Sequence, residues 1–378
     1  MPRRRITLQL SLLGLLLLLL AGVGAIASTP TVLTTYRGDA TGWNNAQKIV
    51  VSAEGTFHIV YQFSLAPTER QDRFIWARSA DGHTWETADY EGRWPAIEVD
   101  GDLIYIIFVR RGSEEDRLWL YRLNGGSLDK QLILRSMPHS LFYPAIAIRN
   151  GQIHLAWEAH RDGKSYIEYA QIGPAGEPLI ETVAESSFGL YFPSLAVGPD
   201  GPHLVWEAGV DPVHHQIMHG RRGAEGWVVE PVSAVGINAH YPALDYDPER
   251  KIYELVFVGY STSGNGIYYR ALEGGSWGSL KPLNQGLEPG YWTFPAVEGG
   301  LVVWGRTVSA GCSIGPLYYS YLIKKSWSVP QALEGEFAAF PHLFRKGGTL
   351  HLIWTDRDPQ SPIWRVIRYR QLEIPRTP

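Results

Sequence analysis

The chain has 378 residues, 45% of them hydrophobic and 19% charged, with 14 Trp, 20 Tyr and 12 Phe, which excludes a disordered chain. Its 40 Gly and 25 Pro are too many for long helices and too aperiodic for collagen, and fit many short strands joined by tight turns. A net charge of −4 offers nucleic acid no basic footprint, and the single cysteine, Cys312, cannot form an internal disulfide.

At the N-terminus, Arg3, Arg4 and Arg5 precede a stretch without charge from Ile6 to Ala27, Leu-dominated from Leu12 to Leu20. Ala25-Ile26-Ala27 offers small residues at the positions a signal peptidase needs, so residues 1–27 read as a secretory signal cut before Ser28. Left uncleaved, the same 22 residues are long enough to anchor the chain in a bilayer. Either way residues 28–378 are expected outside the cytoplasm, secreted or membrane-anchored, meeting the membrane only through this segment. With one cysteine, the exported part is held by its core and not by disulfides.

The exported region repeats itself. Aromatic-proline pairs stand at Trp94-Pro95, Tyr143-Pro144, Phe192-Pro193, Tyr241-Pro242, Phe294-Pro295 and Phe340-Pro341, at spacings of 49, 49, 49, 53 and 46. A seventh unit without the proline begins near Gln47. Each unit has an apolar run, a turn such as Asp100-Gly101 or Asn150-Gly151, and a second run ending in an aromatic, as in His154-Leu155-Ala156-Trp157 and His203-Leu204-Val205-Trp206. A polar loop, a third run and often a Trp follow, Trp85, Trp227, Trp277 and Trp327 marking fourth strands. Four strands at this period predict an all-β, seven-bladed β-propeller of four-stranded antiparallel blades, starting near 46, 94, 143, 192, 241, 294 and 340. About 50 residues per blade leave no room for a second domain. The last unit ends after its third strand near Leu372, while Thr31 to Tyr36 is an orphan strand, predicted to complete the last blade and close the ring. The prolines are expected to open the inner strands, where a missing amide donor is tolerated.

Ser79-Ala80-Asp81-Gly82-His83-Thr84-Trp85 resembles the Asp-box of the sialidase-like, BNR-repeat propellers, one residue shorter between Asp81 and Gly82 than the usual form. The resemblance of blade plan covers about residues 31 to 372, and the motif itself is a folding element. What it implies for function is sialidase-type chemistry: arginines gripping a substrate carboxylate, an acid/base aspartate and a Tyr/Glu nucleophile pair. The nearest match to the family's first arginine is Tyr36-Arg37-Gly38-Asp39, without the Ile-Pro that follows it there. The family usually has six blades, and this chain has seven units.

From the residues themselves, Arg110 and Arg306 lie two positions beyond the repeat aromatic, and Arg161 and Arg357 just beyond it in their own loops. Such a ring would suit an anionic sugar, because guanidinium pairs bidentately with carboxylate; solvated loop residues are the plainer reading. Glu158 and Glu207 directly follow the repeat tryptophan and Asp356 lies two residues after Trp354, so these three are the carboxylate candidates for catalysis, with structural pairing to neighbouring arginines or blade amides as the plainer reading. The same rim carries Trp43, Phe142, Tyr191, Tyr260, Tyr291 and Trp292 among His139, His160 and His240, suited to sugar rings or to packing between loops. His214-His215 with His219 matches no zinc spacing, and no phosphate-loop, nucleophile-elbow or His-Glu-x-x-His motif occurs, so neither metal nor cofactor is expected. The functional expectation is an exported propeller binding a glycan or other extracellular ligand on its rim. The alternatives are a sialidase-like glycoside hydrolase and a cell-surface scaffold for protein partners.

Overall fold

The computed structural model describes residues 33–372 apart from 36, 38, 43–45, 65–71, 174–177, 262, 263, 289, 310, 311, 314, 334, 336, 359 and 361–364. The signal or anchor segment, Tyr36 and Trp43 therefore lie outside the described residues. Seven antiparallel sheets make up the rest, each running from an inner to an outer strand. Blade 1 comprises Ile49–Val51, Phe57–Phe63, Arg73–Ser79 and Glu86–Glu91, and blade 2 comprises Arg93–Asp100, Leu103–Arg111, Asp116–Asn124 and Ser127–Met137. Blades 3 and 4 follow the same order, with inner strands Leu141–Arg149 and Leu190–Gly198. Blades 5 and 6, with inner strands Asn238–Asp247 and Tyr291–Glu298, split their outer strands into two short pieces each. Each inner strand packs against the next, and that of blade 7, Ala339–Lys346, packs against Ile49–Val51 of blade 1, so the ring closes.

Closure is by the N-terminal strand. Leu33–Thr35 pairs antiparallel with Arg365–Leu372, in register Leu33 to Ile367 and Thr35 to Arg365, as the outer strand of blade 7. An edge that would otherwise stay open is thereby covered.

The prolines do something other than open a strand. Each aromatic-proline pair sits within its inner strand at a break in the ladder, as between Arg93 and Ala96 or between Phe142 and Ala145. At this bulge the proline needs no ladder donor. All six aromatics there adopt positive φ, from 42° at Phe294 to 54° at Tyr241 and Phe340, a region costly for bulky residues. The bulge brings the six rings into one chain about the axis: successive centroids from Trp94 to Tyr143, Phe192, Tyr241, Phe294 and Phe340 are 4.8, 4.8, 5.6, 4.2 and 4.5 Å apart. Blade 1 has no aromatic there; Gly42 takes the space beside Phe340.

Lining the channel is a cavity of about 270 Å³ whose walls include Glu98, Arg149, Asp245 and Glu298. Between blades, the second-strand aromatics Trp157, Trp206, Trp304 and Trp354 are buried. The Asp81 hairpin packs blade 1 onto blade 7: Asp81 Oδ1 accepts from the His83 and Thr84 amides at 2.7 Å, and Trp85 meets the Tyr369 ring edge-on at 6.4 Å. Those amides and Ser79 hold the Asp81 carboxyl far below the usual range.

Candidate functional site

The repeat itself builds the site. In each blade the residue after the second-strand aromatic lies near the rim, and in blades 3 and 4 alone it is a carboxylate, Glu158 and Glu207. Strand register sets Phe142 opposite Glu158, Tyr191 opposite Glu207 and His240 opposite Val258, so the residue before each inner-strand bulge stands beside this position. His215 enters from the third strand of blade 4, paired with Gly209. Adjacent blades thus bring carboxylates, imidazoles and phenols to one stretch of rim.

Glu207 is buried, yet its carboxylate is well supplied with donors. Oε1 accepts from His240 Nδ1 at 3.0 Å and from His215 Nδ1, and Oε2 accepts from the Tyr241 amide at 3.2 Å. Burial pushes the Glu207 carboxyl up, but the bonds from His215 and His240 outweigh it and hold the group below the usual carboxylate range. Glu158, equally buried, goes the other way: burial raises it, His160 and the Phe192 amide oppose the rise incompletely, and the nearby Glu207 charge adds to it. His160 Nε2 lies 2.7 Å from Glu158 Oε1 without hydrogen-bond alignment. Two similar carboxyls in neighbouring blades are therefore pushed toward opposite protonation states.

Aromatic faces frame this pair. Tyr191 stacks on His215 with rings 5.8 Å apart and 11° from parallel, Phe142 lies 4.9 Å from His160, and Tyr260 lies 5.4 Å from His240. The Tyr191 hydroxyl is raised by burial and by the charges of Glu158 and Glu207, which places it in the field of both. Tyr260 donates to the Trp292 carbonyl at 3.2 Å, and Tyr291, half-exposed, extends the surface at 6.4 Å from Tyr260. His215 and His240 keep 19% and 17% of their side-chain surface open to solvent, enough to meet a ligand.

The other residues singled out by sequence go elsewhere. Arg37 makes a bidentate pair with Asp39 at 2.8 Å, Arg110 pairs with Glu91 of blade 1, and Arg161 joins buried Glu168 at 2.6 Å while lying over Tyr166. Arg306 lies over Trp292, and Arg357 over Phe337. Asp356 is turned inward, its Oδ1 accepting from the Phe337 and Arg357 amides at 3.1 and 2.8 Å. Trp292 is buried at 1% exposure in the core between blades 5 and 6, so it presents no face at the rim. Glu158, Glu207, His240 and Tyr260 come together; the five arginines, Asp356 and Trp292 do not join them.

The sequence marks His215 only beside His214 and His219, which the fold separates: His214 is exposed on Asp211, and His219 is buried against His203 at 2.9 Å. Strand alternation carried the signal, because on an antiparallel third strand only every second residue reaches the same face as Glu207. Glu207, His215 and His240 together offer one carboxylate oxygen and two imidazole nitrogens, all within 4.8 Å of one another.

No protein-family model matches the chain, and no curated protein matches it. Among solved structures it is similar to the crystal structure of polysaccharide lyase Uly1, at 8% identity and a TM-score of 0.54, over 87% of this chain and 90% of that one. A puromycin-hydrolyzing peptidase of Mycobacterium tuberculosis is matched at 15% identity and a TM-score of 0.54, over 93% of this chain and 55% of the peptidase. A protein from Lactobacillus plantarum is matched at 11% identity and a TM-score of 0.51, over 84% and 99%. These likenesses are of fold. They place the chain among β-propellers and carry no role for the rim cluster.

Proposed function

We propose that this protein is an exported propeller that binds a hydroxyl-rich glycan on the rim of blades 3 to 5, over Tyr191, His215, His240 and Tyr260. The observation that carries the reading is the convergence, on one open stretch of rim, of aromatic faces with two buried carboxylates and the imidazoles beside them. Flat rings take sugar faces, and paired carboxylate and imidazole groups take hydroxyls. The charged leader motivates export, and the Asp81 hairpin supports kinship with sialidase-like propellers. The arginines engaged by Asp39, Glu91 and Glu168 do not supply the guanidinium clamp a sialic acid would need, so neutral glycans fit better than sialylated ones. One fold neighbour is, by its name, a polysaccharide lyase.

A glycan array of neutral, uronic and sialylated chains tests this. Binding to a neutral polysaccharide class is expected, and silence across the array, or binding confined to sialylated chains, would overturn the reading.

A second reading, cleavage of a glycosidic bond, is favoured by one feature, the opposed carboxyls: Glu158, pushed toward protonation, would serve as acid opposite ionised Glu207. Release of new sugar ends from the array hit, lost in Glu158→Gln with binding retained, is the result that would establish it.

A further inference from the structure

The donors on the rim are of a kind that bind more than sugar. We propose that Glu207, His215 and His240 form a site for one divalent transition-metal ion of the zinc type, open on the side of Tyr191 and Tyr260. One oxygen and two nitrogens are a borderline donor set that suits zinc, whereas calcium and magnesium take oxygen throughout. The three ligating atoms lie within 4.8 Å of one another. In a tetrahedral zinc site with bonds of 2.0–2.1 Å the ligand edges are about 3.3 Å, so shifts of about 1 Å, widening the contacts of Glu207 with the imidazoles and narrowing the gap between the two nitrogens, fit the trio to an ion. Both imidazoles already converge through Nδ1 on one carboxylate oxygen, Glu207 Oε1. An ion would take the place of the protons that now bridge them.

What surrounds the trio holds its geometry. The Tyr241 amide binds Glu207 Oε2 at 3.2 Å and so leaves Oε1 toward the imidazoles. Asn238 Oδ1 accepts the His215 amide at 2.7 Å, fixing that strand end; Tyr191 stacks on the His215 ring and Tyr260 abuts His240. Such outer contacts orient first ligands and raise affinity. Three protein ligands leave a fourth position open, as in zinc centres that exchange a ligand. An oxygen of a sugar bound on the surface assigned above to glycan would fill that position. Only this last step rests on the glycan reading; the ion site itself does not.

The test uses the full chain without an affinity tag, stripped with chelator and titrated calorimetrically with Zn²⁺. One ion per chain is expected. His215→Gln and His240→Gln should each weaken it by at least about 100-fold, the upper end of what even an outer-contact change costs. His214→Gln, on the exposed side chain paired with Asp211, should leave it unchanged. For a readout that needs no variant, anomalous diffraction from zinc-soaked crystals of the wild type should place the ion among the three side chains. No stoichiometric uptake, uptake indifferent to both ligand variants, or an anomalous peak elsewhere would each overturn the proposal. Zinc bound at the trio with silence on the glycan array sinks the glycan reading and leaves the ion site standing; glycan bound with no zinc uptake does the reverse.

Discussion

His240 of blade 5 donates from Nδ1 to Glu207 Oε1 of blade 4 at 3.0 Å, so one charge-assisted contact ties two blades together at the rim. Because Glu207 is buried, the accepting end of the bond is shielded from water. A double-mutant cycle of Glu207→Gln and His240→Gln, read by urea unfolding in chelated buffer, should give a coupling of about 1.5–3 kcal/mol. A coupling near zero would mean the two side chains do not depend on each other.

Gly189 is where the site meets backbone constraint. It stands at φ 99°, and a Cβ there would overlap the Tyr191 hydroxyl. Gly189→Ala should cost about 1–3 kcal/mol of stability through the left-handed conformation. It should also swing Tyr191 off His215 and lower glycan affinity about tenfold. Stability loss with unchanged affinity would show that the Tyr191 face is not part of the binding surface.

The channel carboxyls make a pH prediction of opposite sign to ordinary acid unfolding. Burial, with the Asp245 charge adding to it, pushes Glu98 up to about 8; burial and the Glu254 charge push Asp245 up to about 7. In the unfolded chain these groups titrate near 4. Folding then binds extra protons between about pH 4 and 8, so their cost is absent at low pH and grows as pH rises through that window. Glu98→Gln should therefore raise Tm more at pH 8.5 than at pH 5, with a gain of about 2–4 °C at the higher pH. An equal offset at both pH values would show that Glu98 ionises as freely as in water.

Deletion through Thr35 removes the outer strand of blade 7 and exposes the edge at Arg365–Leu372. Thermal melting should shift down by more than about 5 °C, with increased aggregation from the bare edge. An unchanged melting curve would contradict ring closure by this strand.

Much of this fold is legible in the chain because a propeller writes its plan seven times. The aromatic-proline spacing marks every blade from the second to the seventh, and the orphan strand near Leu33 was identifiable because the last unit lacked its fourth strand. The bulge that turns Trp94, Tyr143 and their equivalents to positive φ was not, since aromatic-proline alone reads as a strand opening and the strain is imposed by the ring packing around the axis. At the site, Glu158 and Glu207 stood out by their place after the repeat tryptophan. Arg110 and Arg306 stood out on the same reasoning, yet guanidiniums are long enough to turn toward whatever partner lies near, here Glu91 for the one and the Trp292 ring for the other. His215 was hidden because its closeness to His240 arises between two blades, and no spacing along the chain encodes that distance.

The most direct measurement is a set of binding isotherms with the polysaccharide found on the array, for the wild type, Tyr191→Ala, Tyr260→Ala and Arg110→Ala. The rim of blades 3 to 5 as the glycan site predicts losses of about tenfold or more for both tyrosine variants, in keeping with the cost of removing an aromatic contact face, and wild-type affinity for Arg110→Ala. Wild-type affinity in both tyrosine variants, or a loss confined to Arg110→Ala, would contradict it.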